Sequence, residues 1–578
     1  MNSNITILIC TIFFHFKKKI SSNISNYKSF LKDVDVLKYI SSKLSSIKIK
    51  YFKSSIFDQF LDINYKFWKK QNIRETSEEI ILVESFVNHQ GYALSNAIIA
   101  NYLKKIYGMK IICVIKKNNY EGKKIFQSCG INHLVYFKNP SFIKRIEIVF
   151  LALKLLKNCK TIHQFTKIKY LNADVGLSAY DAFIRYTGTP HLEKINMELI
   201  YFLTEALFSC DEFQNLLSNK KIKFCVQAET AFLPSNTLFQ MCLKRKIKVF
   251  ARLGVSDFAL RIYDNFNQRY KYRDRISNKI FNEIYNNNKK LILKKYHETH
   301  NKKLKEGKFG IDIRVLNKSK NKPLISKSKL LKKFNWKNKK IGVVFMHHLI
   351  DKNYHSGPRK YFIDNYSWTK FIINSLIKAK NLNWIIKPHP TEAYYKSKKN
   401  LNAEIKKITE KYNHIKLFPD NYSQISLLQI CDYAVSSNGS VGVEYPANNI
   451  PSIYIEESYF TGMSFLKKYK KDKKFLNDLN NLTFMKKIDN KTVLKSKVFM
   501  YARFNLFNCN CGLLSKHDIS RNFDRESFWK NNIQLIKYFN IDKDELFKML
   551  KLQLKYNLRH TINFNKVKIR KKLYNDLN

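Results

Sequence analysis

Two regions of the chain carry the same pattern of positions. A short unbroken apolar run ends in polar or small residues, an amphipathic stretch follows, and another apolar run begins. In the first region the runs are 79–87 (EIILVESFV), Lys110–Ile115, His133–Phe137, Lys223–Gln227 and Ile247–Arg252, with a helical pattern over Ala93–Tyr107. In the second they are IGVVFMHHL, which follows Lys340, then Trp384–Ile386, Tyr433–Val435 and Pro451–Ile455. Short apolar strands alternating with helices are the grammar of a parallel sheet covered on both faces. The pattern therefore predicts an α/β chain with two Rossmann-like domains, over 75–260 and 339–490. Residues 1–74 read as a helical and apolar extension, 261–338 as a connector and 491–578 as C-terminal helices. No Gly-x-Gly-x-x-Gly follows the first strand, which argues against a dinucleotide fold.

Ligands of such sheets bind at the carboxyl ends of the strands, so the residues there are the candidates. In the second domain one strand ends in Lys387-Pro388-His389-Pro390. The two prolines stiffen the backbone around His389, and Lys387 adds positive charge. The next strand ends in Ser436-Ser437-Asn438-Gly439-Ser440, a small-residue turn into a predicted helix. A helix start suits phosphate, and the hydroxyls of Ser436, Ser437 and Ser440 add donors. Glu444, one turn further on, is placed to accept hydrogen bonds from a ribose. His347 and His348 end the first strand of this domain, beside a loop with His355, Gly357 and Arg359. His348 and Arg359 are the candidates there for phosphate contact. In the first domain Glu84 interrupts an apolar strand, His89 sits in the loop after it, and Glu229 ends a later strand. These three, with Asp181 behind them, are the candidates for proton transfer. Each of these residue types also serves commonly as a cap or a buried hydrogen-bonding group.

The order KPHP, DYAVSSNGSVGVEYP, NIPSIYI resembles the C-terminal half of GT-B transferases of bacterial surface polysaccharides. It resembles the capsule polysaccharide biosynthesis proteins most, and also CDP-glycerol glycerophosphotransferases and bacterial polysialyltransferases. The stretches FMHHLIDKNYHSGPRKYFIDNYSWTKFIINSLIKAKNLNWIIKPHP and CVQAETAFLPSNTLFQMCLKRKIKVFARLG look like the same group. The likeness is weak over 78–255 and closer over 340–470. It implies two Rossmann-like domains facing a cleft, with the C-terminal helices bracing them. It further implies that His389 and the serines Ser436, Ser437 and Ser440 contact a donor nucleotide. The implied activity is transfer of a sugar from a nucleotide-activated donor to a glycan or lipid-linked acceptor, with capsule assembly machinery as a partner. A polyol-phosphate transferase of the CDP-glycerol type and a non-catalytic capsule assembly or export factor are the alternatives.

Composition adds charge to this picture. The 578 residues include 105 Lys and Arg against 45 Asp and Glu, a net +60. Of these, 25 basic and six acidic residues fall in 261–340. Such a chain meets anions: donor phosphates, acidic glycans or an anionic membrane face. A bias towards Lys, Asn, Ile, Phe and Tyr, with only 15 Gly and 10 Pro, accounts for part of that charge as composition alone. Without zinc-finger spacing or an aromatic RNA-binding motif, nucleic acid is disfavoured. The ten cysteines are scattered, with no Cys-x-x-Cys, as expected in a reducing compartment. The apolar run 4–16 is too short for a membrane span, and Lys17-Lys18-Lys19 follow it instead of preceding it, the reverse of a signal peptide. The expectation is a cytoplasmic protein, peripheral at most on the inner face of the membrane. No Asp-x-Asp lies at a strand end, and His297-Glu298-Thr299-His300 lacks zinc-binding spacing, so neither a metal nor a cofactor is expected.

Overall fold

The computed structural model describes residues 55–218, 220–253, 259–270, 276–305, 322–351, 354, 359–389, 397–466, 468–471, 473–480, 488–515 and 524–563. The apolar run 4–16, His355, Gly357, Pro390 and residues 306–321 of the connector lie outside them. The described chain forms two compact units. One contains residues up to Phe183, Glu193–Ile247 and Gly512–Asn540; the other contains Ile184–Leu192, Lys248–Cys511 and the chain from Ile541.

The first unit opens with α1 (Ile56–Lys70), whose Ser55 side chain accepts the Asp58 N–H as an N-cap. Phe60, Asn64 and Trp68, spaced four apart, form its buried stripe. There follow β1 (Ile80–Ser85), α2 (Gln90–Tyr107), β2 (Lys110–Lys116), β3 (Leu134–Phe137), β4 (Ile222–Gln227) and α3 (Ser235–Lys244). The four strands are parallel and run in the order β3-β2-β1-β4. The chain steps from β1 outwards to β3, then returns to add β4 on the other side of β1. The strand order therefore reverses between β1 and β4, which is the unit's topological switch point. The helix Arg525–Lys537, from the C-terminal part of the chain, also belongs here. Its Trp529 ring lies 4.3 Å from Phe60 and 4.9 Å from Phe57, closing over α1.

The second unit contains an antiparallel hairpin, β5 (Lys248–Leu253) with β6 (Ala259–Tyr263). Its second component is α4 (Asn278–Lys305), followed by a parallel sheet of β7 (Ile341–Phe345), β8 (Asn383–Lys387), β9 (Ile415–Leu417), β10 (Tyr433–Ser436) and β11 (Ser452–Tyr454). The order is β11-β10-β7-β8-β9, so the switch point lies between β7 and β10. At Gly342 in β7 an added Cβ would come within 2.2 Å of the Trp384 ring on β8, so only glycine fits beneath that indole. The connector is less of a linker than its charge suggests. In α4 the residues Ile280, Phe281, Ile284, Ile292 and Tyr296 are buried with Phe460, Val498 and Phe499 of the same unit. Lys279, Lys290, Lys294 and Lys302 lie exposed on its outer side, which is why composition alone hides the apolar stripe. The helix matches the helical patterning that the sequence carries around Ile276–Tyr296, whereas the short strands β6 and β9 were not read from it. Both units are thus Rossmann-like α/β bodies.

Removing the Trp529 ring should open a cavity over α1. Trp529→Ala is expected to cost about 3–5 kcal/mol in the first unit, read as an earlier melting transition and as faster hydrogen exchange in 56–70.

Candidate functional site

Each switch point is spanned by one acceptor side chain. In the first unit this is Glu84, at the end of β1. It is 1 % exposed, and one carboxylate oxygen accepts the N–H groups of Ala228 and Glu229, just beyond β4, at 3.2 and 3.3 Å. The other accepts the Phe86 N–H at 3.0 Å and the Ser235 hydroxyl at 3.3 Å. Burial pushes the carboxyl up to about 7, against the lowering effect of these backbone donors. The sequence placed Glu84 among the candidate acids and bases. Its four protein donors make it the clamp that ties the β1 loop to the β4 end. Glu229 turns back on its own loop, its Oε1 accepting the Thr230 and Ala231 N–H groups at 2.7 Å. His89 is the N-cap residue of α2 in extended backbone, half-buried, with its ring 4.9 Å from Tyr92. Asp181, by contrast, is 3 % exposed inside a helix.

In the second unit the spanning residue is His347, just past β7. Its Nε2 accepts the Asn438 N–H at 3.2 Å, so the ring proton of the neutral form sits on Nδ1. The same Nε2 is 3.2 Å from Ser436 Oγ, which accepts the Gly439 N–H at 3.2 Å. Desolvation, with Arg359 and His389 nearby, pushes this imidazole down to about 3, so it is uncharged at neutral pH. Gly439 is required by close approach: an added Cβ would lie 2.9 Å from Ser436 Oγ and 3.3 Å from the His347 ring. Arg359 lies on the second serine, donating through Nη2 to Ser437 Oγ at 2.7 Å and through Nη1 to Asn365 Oδ1. Asn365 opens α5 (Asn365–Lys378) and donates to the His348 carbonyl at 2.7 Å. His348 is buried, its Nδ1 accepting the Ile350 N–H at 3.1 Å, and its ring centre is 6.2 Å from that of His389. Lys387 ends β8, where burial lowers its ammonium, a shift that Asp420 opposes.

The structure thus brings His348, Arg359, Ser436, Ser437 and His389 to neighbouring strand ends of one sheet. Ser440 and Glu444 lie on the helix that follows. The helix after the serine turn, α6 (Val441–Glu444), is four residues long and continues as a 3-10 turn over Pro446–Asn448; Ser440 is its N-cap residue without a side-chain cap bond. So short a helix supplies little macrodipole, and the cradle rests on side chains instead. Glu444, expected to accept hydrogen bonds from a ribose, is 6 % exposed on that helix, and burial, with a smaller contribution from the Glu444 charge, raises the Tyr296 hydroxyl on α4. Two groups were missed. Asn365, at the start of a helical stretch, carried no signal in the sequence. Glu456 closes the apolar run of β11, whereas Glu84 interrupts one, so the signal that singled out Glu84 did not reach it. Among the described residues no group of three or more His, Cys, Asp or Glu is placed to hold a metal, and no helix is long and apolar enough to cross a membrane.

No family model matches the chain, and no curated protein matches it. Similar solved structures include a beta-Kdo 2,4 transferase, KpsC of Thermosulfurimonas dismutans, 8% identical over 48% of this chain and 79% of that one, with a TM-score of 0.30. A glycosyltransferase from Rickettsia africae is 12% identical over 80% and 98% of the two chains, with a TM-score of 0.25. HepE from Anabaena, in complex with UDP and glucose, is 11% identical over 73% and 94%, with a TM-score of 0.24.

The Glu84 carboxyl holds its proton in the folded state up to about 7, whereas the unfolded chain releases it near 4.5. Its contribution is therefore fully present below 4.5 and is lost as pH rises through 7. Relative to Glu84→Gln, the wild type should lose up to about 3 kcal/mol between pH 5 and pH 8, measured by urea titration at both values. A constant difference would refute this.

Proposed function

We propose that this chain is a glycosyltransferase of the GT-B type. In this reading it transfers a sugar from a nucleotide-activated donor to a glycan or lipid-linked acceptor of capsular or surface polysaccharide synthesis. One observation supports the reading above the others: His389 of the KPHP motif and Ser436 and Ser437 of the SSNGS motif lie with His347, His348 and Arg359 at the adjoining ends of β8, β7 and β10, beside the switch point of the second sheet. That place in an open α/β sheet is where nucleotides bind. A buried guanidinium beside serine hydroxyls is suited to phosphate oxygens. His389 and Lys387, on the adjacent strand end, would stabilise the charge that develops on the leaving phosphate. These groups of the chain, not a bound cation, carry that task in the proposal. On the acceptor side His89 is the proposed base, because it sits in the loop after β1 and keeps partial solvent access, and an imidazole nitrogen can take a hydroxyl proton. Glu84 then acts by holding the loop that carries His89. The net charge of +60 fits work on acidic glycans or against an anionic membrane face.

Calorimetry with CMP, CDP, UDP and GDP tests this. The wild type should bind one of these nucleotides selectively, and His389→Ala should weaken that binding at least tenfold, about 1.4 kcal/mol, with its melting temperature unchanged. A folded wild type that binds none of the four, or a variant that binds as well, would overturn the donor site. A cytidine nucleotide would indicate an acidic-sugar or glycerol-phosphate donor, and UDP a hexose or hexosamine.

A further inference from the structure

Glu456 lies one residue beyond the run Ser452–Ile455 and is 2 % exposed. Its backbone N–H donates to the Ser437 carbonyl at 2.9 Å, beside that of Ile455 at 3.0 Å. Its two carboxylate oxygens accept the N–H groups of Lys360 and Tyr361 at 3.2 and 3.1 Å. The same carboxylate lies 3.9 Å from Arg359 Nε, with both side chains about 95 % buried or more. Arg359 Nη2 in turn donates to Ser437 Oγ. The three residues form a closed ring, Ser437 to Glu456 to Arg359 and back to Ser437. A buried guanidinium without a counter-charge is strongly disfavoured. Glu456 supplies that charge from the Nε side and holds the chain at 360–361, which leaves the Nη edge turned to the serine turn.

We propose that Glu456 is a positioning residue for phosphate recognition: it orients Arg359 so that its Nη edge, at Ser437, meets the diphosphate of the donor. This rests on the donor site proposed above. The role is specific to charge and geometry. Glu456→Gln keeps the shape but loses the counter-charge, and its amide N–H₂ would face a backbone N–H where an oxygen now accepts. A poorly aimed Arg359 should affect recognition of a second phosphate more than that of a nucleoside monophosphate.

The test uses the full chain and the nucleotide pair, UDP and UMP or CDP and CMP, that the wild type binds. Glu456→Gln should weaken the diphosphate at least tenfold and the monophosphate less than threefold, and Glu456→Asp should restore part of the loss. Because Glu456 acts through Arg359, the double variant Arg359→Ala/Glu456→Gln should bind no worse than Arg359→Ala alone. Equal weakening of both nucleotides, or additive losses in the double variant, would assign Glu456 a general structural role and overturn the proposal. An unchanged diphosphate affinity in Glu456→Gln would overturn it as well. A wild type that binds no nucleotide removes the donor site itself, an outcome read before any variant is made.

Discussion

Both sheets depend on the same local solution to a backbone problem. Where strand order reverses, the two neighbouring strands send their following segments apart, and the N–H groups just past the second strand leave the ladder. Buried N–H groups need acceptors. In the first unit Glu84 accepts from Ala228 and Glu229; in the second His347 accepts from Asn438. Each comes from the end of the central strand and reaches across to the far strand's loop. The loop conformations, and with them the direction of every side chain nearby, follow from these contacts.

The two acceptors differ in chemistry, and the difference bears on function. Glu84 is enclosed by four donors and raised by burial, so it is committed to its own fold. His347 is a neutral imidazole next to two hydroxyl-bearing residues and a guanidinium. A neutral acceptor there avoids placing a second positive charge beside Arg359, which Glu456 already balances. The second switch point thus sets a neutral imidazole and two serine hydroxyls beside a buried guanidinium paired with a carboxylate.

The basic connector shows how charge and burial coexist. Along α4 the apolar residues fall on one stripe, and the lysines between them reach solvent. Average composition over such a segment resembles a solvated linker, whereas its periodicity resembles a core helix. Within α4, a high positive charge and a buried apolar stripe are thus compatible.

By itself the sequence determined the two α/β units and most of their strands, because unbroken apolar runs and helical periodicity are local properties. It also determined that His389, Ser436 and Ser437 end strands of one sheet, since the motifs adjoin those runs directly. Only the tertiary structure decided which side chains answer to which. Glu84 and Glu456 are both carboxylates of apolar runs, one inside its run and one just past the end. One faces four donors across β1 and β4; the other faces an arginine 97 positions earlier in the chain. Strand order, which no local pattern encodes, places β4 beside β1 and β10 beside β7. That ordering turns a list of polar strand ends into two different environments.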